Sequence, residues 1–70
     1  MEKRKVNCEV AKPVADKIKE WAITHNVDCF RSECFSNIYV EMRLSESEIA
    51  EVNALIDKAY AEIEKMEVVA

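Results

Sequence analysis

Glycine is absent from this 70-residue chain, and proline occurs once, as Pro13. Without glycine there is neither a phosphate-cradling loop nor a dinucleotide-binding fingerprint, since both bring backbone closer to a phosphate than a Cβ allows. Any position that needs a left-handed backbone must also carry a side chain, a conformation that asparagine tolerates best. Long apolar runs are missing too. None nears the ~18 residues of a membrane span, and MEKRK leads into an alternating segment where a signal peptide would carry its apolar core. The expectation is a cytoplasmic protein with no membrane partner.

Cysteines are few. Cys8, Cys29 and Cys34 are an odd number at spacings of 21 and 5, which is no secreted disulfide framework, so reduced and partly buried thiols are expected. With His25 they are the only soft metal ligands, but structural zinc sites usually supply paired cysteines about two to four residues apart. No metal site is predicted, and His25 is read as a residue at a helix end, where the dipole favours its charge. Nothing positions an orienting group or an oxyanion site beside a cysteine–histidine pair. No enzyme activity, catalytic residue or cofactor is therefore assigned. Trp21 and Phe30, two of the few aromatics, are expected in the core.

What is present is half apolar and one third charged, the composition of a folded chain. Its length allows one domain, 1–70, near the lower limit for a self-sufficient core, and a homodimer or larger oligomer is the usual remedy. Charge is uneven. Residues 1–43 carry eight Lys/Arg against seven Asp/Glu, whereas residues 44–70 carry two against seven, for a net charge of −4. The basic residues Lys3, Arg4, Lys5, Lys12, Lys17 and Lys19 gather in the first third, where they could form an anion-binding patch. The acidic last third is expected to be a solvated helix face through Glu46, Glu48, Glu51, Glu62 and Glu64.

KVNCEV alternates Val6, Cys8 and Val10 with Lys5, Asn7 and Glu9, predicting a strand at 5–10. Pro13 suits a first helical turn, Val14, Ile18, Trp21, Ala22 and His25 share one helical face, and Asn26 is a credible left-handed stop, giving a helix at 13–26. Ser45-Glu46-Ser47-Glu48 reads as a capping box with Leu44 and Ile49 as its hydrophobic staple. The helix it starts, 46–66, has its stripe at Ile49, Val52, Ile56, Ala59, Ile63 and Met66, widened by Leu55 and Tyr60.

The segment between fits two periods. NIYVEMRL at period two sets Ile38, Val40, Met42 and Leu44 on one face, and at period 3.6 Phe35, Ile38, Tyr39 and Met42 form a stripe. Pairing favours strands. A three-residue loop Phe35-Ser36-Asn37, with Asn37 left-handed, sets Cys34 against Ile38, Ser32 against Val40, Phe30 against Met42 and Arg31 opposite Glu41. The resulting α+β domain is β-α-β-β-α, with strands at 28–34 and 38–44, an optional short strand at 67–70, and an antiparallel sheet covered on one face by two helices. In topology this order resembles a ferredoxin-like sandwich. The covered face would hold Val6, Cys8, Val10, Phe30, Cys34, Ile38, Val40 and Met42. The open face would show Lys5, Asn7, Glu9, Arg31, Glu33, Tyr39, Glu41 and Arg43.

The helical alternative carries a resemblance. A strand ending in Val10, the early Pro13, apolar Val14, Ala15, Ile18, Trp21 and Ala22, Asn26-Val27-Asp28, and then Arg31-Ser32-Glu33 before Cys34, Phe35, Ile38, Tyr39 and Met42 resemble ribbon-helix-helix repressors of the Arc/MetJ class. That resemblance, over residues 5–43, implies an intertwined dimer with an extra C-terminal helix. Its paired strands would aim Lys5, Asn7 and Glu9 at base edges in DNA, as a transcriptional regulator or antitoxin does. The preferred sheet reading implies a small non-catalytic binding protein, acting as a homo-oligomer by sequestering or inhibiting a partner protein or a small anionic ligand. Compact acidic proteins that phages turn against host defences are of this kind. Its candidate binding residues are Lys5, Asn7, Glu9, Arg31, Tyr39 and Arg43.

Overall fold

The computed structural model describes residues 2–69, with side chains through residue 66. Its elements are β1 (Arg4–Val10), α1 (Lys12–Thr24), β2 (Cys29–Cys34), β3 (Asn37–Leu44) and α2 (Glu46–Val69). This is the expected β-α-β-β-α order. NIYVEMRL is a strand: Ile38, Val40, Met42 and Leu44 are all buried on one side of β3. The hairpin thus occupies the segment where a ribbon-helix-helix arrangement would place its second helix.

β3 lies in the middle of the sheet, with β1 and β2 antiparallel on its two flanks. β1 and β2 are therefore parallel to each other and cannot be joined by a tight turn. α1 supplies the crossover, which makes a split β-α-β unit.

Local chemistry explains where the helices begin and end. Pro13 sits in the first turn of α1, where its missing N–H costs no intrahelical bond. At the other end Asn26 has φ 57°, Val27 N–H donates to the Ala22 carbonyl at 2.8 Å, and Asn26 N–H donates to Ile23 at 3.2 Å. These bonds are the Schellman pattern, with asparagine doing what glycine usually does. At the start of α2 the Ser45 backbone N–H donates to Glu48 Oε1 at 2.9 Å, and Glu48 N–H donates to Ser45 Oγ at 3.4 Å. Ser45 is only 5% exposed, so the cap also satisfies a buried hydroxyl. No proline or glycine interrupts the chain beyond it, and α2 runs through Val69. Glu67–Val69 thus continue the helix where a short closing strand at 67–70 was expected, and Ala70 lies outside the described residues.

The core joins Val14, Ala15, Ile18 and Ala22 of α1, the buried side of β3, Val10 of β1, and Val52 and Ala59 of α2. Fully burying a side chain such as Ile18, Leu44, Val14 or Val40 contributes about 1.5–3 kcal/mol. The two helices run antiparallel. Tyr60 Oη accepts the Ala11 N–H at 3.0 Å near the start of α1, Lys17 is 3.9 Å from Glu62, and His25 at the end of α1 is 3.6 Å from Glu51. Several acidic residues of α2 are thereby engaged rather than simply solvated: Glu48 in the cap and with Lys3, Glu51 with His25, Glu62 with Lys17. Trp21 is half-buried at the rim, its ring stacked on His25 with 4.2 Å between centroids.

One expectation is overturned by a single residue of register. The β2–β3 connection is a two-residue turn, Phe35-Ser36, with Cys34 opposite Asn37, Glu33 opposite Ile38, Arg31 opposite Val40 and Phe30 opposite Glu41. Phe35, at φ 57°, takes the left-handed position expected of Asn37. A one-residue change flips every side chain of a strand. Arg31 and Glu33 therefore lie on the helix-covered side, and Phe30 and Cys34 on the open side, so Arg31 does not face Glu41. Its guanidinium instead donates to Asp16 Oδ1 of α1 at 3.0 Å, tying the edge of β2 to the crossover helix.

The cap gives α2 a definite pH response. The Ser45 backbone N–H, followed by the Ser45 hydroxyl and Lys3, holds the Glu48 carboxyl below its ordinary pKa. A folded pKa below the unfolded one stabilises the protein above the ordinary carboxylate range, and that stabilisation is lost as pH falls through the folded value. Glu48→Gln should therefore lower the midpoint of thermal unfolding at pH 7. The gap between variant and wild type should close once pH is low enough to protonate Glu48 in both states, as followed by circular dichroism. An unchanged gap under acid would show that the carboxylate's charge is not what stabilises the cap.

Candidate functional site

The side of the sheet away from the helices is open. β1 contributes Lys5, Asn7 and Glu9, β3 contributes Asn37, Tyr39, Glu41 and Arg43, and β2 contributes Phe30, Ser32 and Cys34. Pairing sets them in rows: Lys5 beside Arg43, then Asn7, Glu41 and Phe30, then Glu9, Tyr39 and Ser32. At the centre Tyr39 Oη donates to Glu41 Oε1 at 2.7 Å, and Lys5 Nζ stands 3.6 Å from Glu41 Oε2. The hydrogen bond to Glu41 is the main cause that pushes the Tyr39 phenol above its ordinary pKa. The Tyr39 ring meets Phe30 edge to face, 6.3 Å between centroids. Phe30 is nevertheless 58% exposed.

One corner of this face deepens into a cleft of 480 Å³, where the loop after α1 rises beside the start of β1 and the end of β3. Its charged lining is three cations, Lys3, Lys5 and Arg43, against two carboxylates, Asp28 and Glu41, with Phe30 on one wall. Such a cleft offers donors to an anion and a ring to stack against.

Of the six candidate residues, the open face gathers Lys5, Asn7, Glu9, Tyr39 and Arg43. Arg31 is not among them, having turned to Asp16 on the covered side. Sequence reasoning missed Phe30, Ser32 and Cys34, all displaced to the wrong side by the loop length. It also missed Phe35, which the hairpin reading placed in a loop and the helical alternative on a core face. The signal that could have found them is that two-residue turns are the commonest hairpin connection.

Phe35 stands out. It is 103% exposed at the hairpin tip and has a positive φ, while Ser36 does not, the sign pattern of a type II′ turn whose first central residue is ordinarily glycine. A bulky residue there costs roughly 1–2 kcal/mol relative to a relaxed backbone, and the ring buries nothing in return.

The thiols are placed differently. Cys8 and Cys29 face the covered side, and burial pushes both above the ordinary cysteine pKa, aided at Cys8 by Cys29 and opposed at Cys29 by Arg31 and Lys19. Protonated thiols are weak nucleophiles. His25 belongs to the helix end, its Nδ1 2.9 Å from the Trp21 carbonyl oxygen. Among the described residues no three His, Cys, Asp or Glu side chains converge on a point that could hold a metal. In comparisons with known proteins, no family model, curated protein or solved structure matches the chain.

Replacing Phe35 with glycine should relieve the turn. We expect Phe35→Gly to raise stability by about 0.5–1 kcal/mol, a rise of several degrees in the melting midpoint for a domain of this size. A fall in the midpoint would mean that the ring supports the hairpin.

Proposed function

We propose that this is a non-catalytic binding protein that works as a homo-oligomer in the cytoplasm and sequesters or inhibits a partner protein through its open sheet face and hairpin tip. The observation that carries this reading is Phe35, a fully exposed ring held in an unfavourable backbone conformation. Strain that gives the free protein nothing is characteristic of residues selected for contact with something else. Phe30 and Tyr39, in edge-to-face contact farther along the open face, form a second aromatic patch, with Glu41 and Arg43 beside it. Buried aromatic anchors inside a polar rim are the anatomy of a protein interface. Covering Phe30 and Phe35 would contribute about 1.5–3 kcal/mol each, enough to make these two rings the main anchors of such a contact. Action against a host defence factor, in the manner of compact acidic phage proteins, suits such a surface.

The corner cleft supports a second reading, a small anionic ligand held by Lys3, Lys5 and Arg43 against Phe30. DNA regulation is less well supported, since the ribbon-helix-helix arrangement behind it needs a helix where β2 and β3 stand.

The test is comparative capture. Wild type, Phe30→Ala and Phe35→Gly are immobilised, exposed to the same cytosolic extract, and the retained proteins are quantified by mass spectrometry. One protein held by wild type and reduced about tenfold or more by each variant is expected, as for loss of a hot-spot contact. Equal retention on all three columns would sink the protein-partner reading. Titration with inorganic pyrophosphate, with amide shifts confined to Lys3, Lys5 and Arg43, would favour the anion reading instead.

A further inference from the structure

The sheet has two free edges, and they are not equivalent. β2 carries Arg31 and Glu33 on its covered side, and charges pointing inward at an edge discourage strand addition. β1 carries Val6, Cys8 and Val10 there, with a charge, Arg4, only at its first residue. Val6 and Cys8 are only half-buried, and they share a crevice of 60 Å³ with Ile49 and Ile56 of α2, which are half-buried as well. Along this flank, among the described residues, no strand pairs with the backbone donors and acceptors of β1, and apolar side chains stand beside them.

The open side of β1 reads Lys5, Asn7, Glu9. Laid antiparallel against itself, that order is self-complementary: cation meets anion, amide meets amide, anion meets cation. We propose that two copies of the chain join β1 to β1 about a two-fold axis through Asn7, making one continuous sheet from their two three-stranded halves. Lys5 then faces the partner's Glu9, Glu9 faces the partner's Lys5, and the two Asn7 amides meet on the axis. On the covered side Val6 lies opposite the partner's Cys8, with Arg4 opposite the partner's Val10 at each end, so the apolar layer continues across the middle of the junction and the two α2 helices come alongside one another.

The register is specific. An axis at Val6 sets Lys5 against Asn7, one at Cys8 sets Asn7 against Glu9, and either loses the reciprocal Lys5–Glu9 pairs. Seven residues of antiparallel pairing supply roughly six to eight backbone hydrogen bonds. Isologous contact of one edge with itself closes the assembly at two copies and leaves no β1 edge exposed. The proposal rests on the homo-oligomer reading above and names its surface.

The full chain is examined by light scattering and sedimentation over a concentration series reaching about 100 μM. A dimer is expected. Lys5→Glu and Glu9→Lys singly place like charges at both symmetric positions and should each weaken it about tenfold. The double reversal K5E/E9K restores opposite charges and should recover most of that loss. Asn7→Cys tests geometry independently of stability: under mild oxidation it should form an interchain bridge between the two copies of residue 7, whereas Ser32→Cys on the β2 edge should not. A wild type that stays monomeric throughout would overturn both this inference and the oligomer reading. A dimer that shows no rescue by charge exchange and no bridge at position 7 would overturn the β1 junction alone.

Discussion

β3 is hydrogen-bonded along both flanks, and its buried side, Ile38, Val40, Met42 and Leu44, is where the other layers meet. Ile18 and Val14 of α1 and Val52 of α2 belong to the same core, so the strand fixes the sheet in one direction and the helix layer in the other. A chain this short has little core beyond that seam. The order β1-β3-β2 follows from it, because the strand with the most complete apolar alternation has the most to gain from a central, twice-paired position. Everything the open face displays is therefore referred to β3: a residue is on that face if it stands opposite Asn37, Tyr39, Glu41 or Arg43.

That dependence explains how much of the fold could be read from the sequence. The five elements and their order were visible because each had a local cause: period-two alternation in β1 and β3, the capping box at Ser45, and an asparagine where α1 needed a left-handed stop. The closing strand expected at 67–70 had no such cause. β2 was the weak point, because the alternation of CFRSEC misleads. Apolarity alone favours placing Phe30, Ser32 and Cys34 inward, yet the fold sets Cys29, Arg31 and Glu33 there, which an edge strand tolerates because its charged side chains reach out at the margin. Its placement thus rested on the turn, and the turn offered no glycine to mark the left-handed position. Choosing Asn37 over Phe35 moved Arg31 to the wrong face and hid Phe30 and Phe35 from the candidate site. Those are the residues that most change the functional reading, and they follow from one dihedral angle.

Charge shows the same interplay of local and tertiary causes. By composition the last third is an acidic tail, but in the fold it is set antiparallel to α1 and meets the basic first third directly. Glu48, Glu51 and Glu62 find Lys3, His25 and Lys17. Exposed pairs of this sort contribute only about 0–1 kcal/mol each, and the contact with His25 is an ion pair only when the imidazole is protonated. What remains as a concentrated, sheet-borne pattern is the alternation of Lys5, Glu9, Glu41 and Arg43 on the open face.

A chain without glycine had two places to accept a left-handed residue, and it met them differently. At Asn26 the side chain is suited to the conformation, and the Schellman bonds offset what cost remains. At Phe35 neither compensation exists: the ring is unsupported, exposed and bulky. Ordinary selection for stability would have replaced it with asparagine or glycine, since either would relax the turn without touching the core. A ring that supports nothing in the free protein is what the proposed contact with a partner would cover. Phe35 stands at the tip of the β2–β3 hairpin and Phe30 toward the other end of β2, both away from the β1 edge. Self-association at β1 and contact with a different protein at the hairpin are then compatible on one molecule, each using a separate margin of the same three strands.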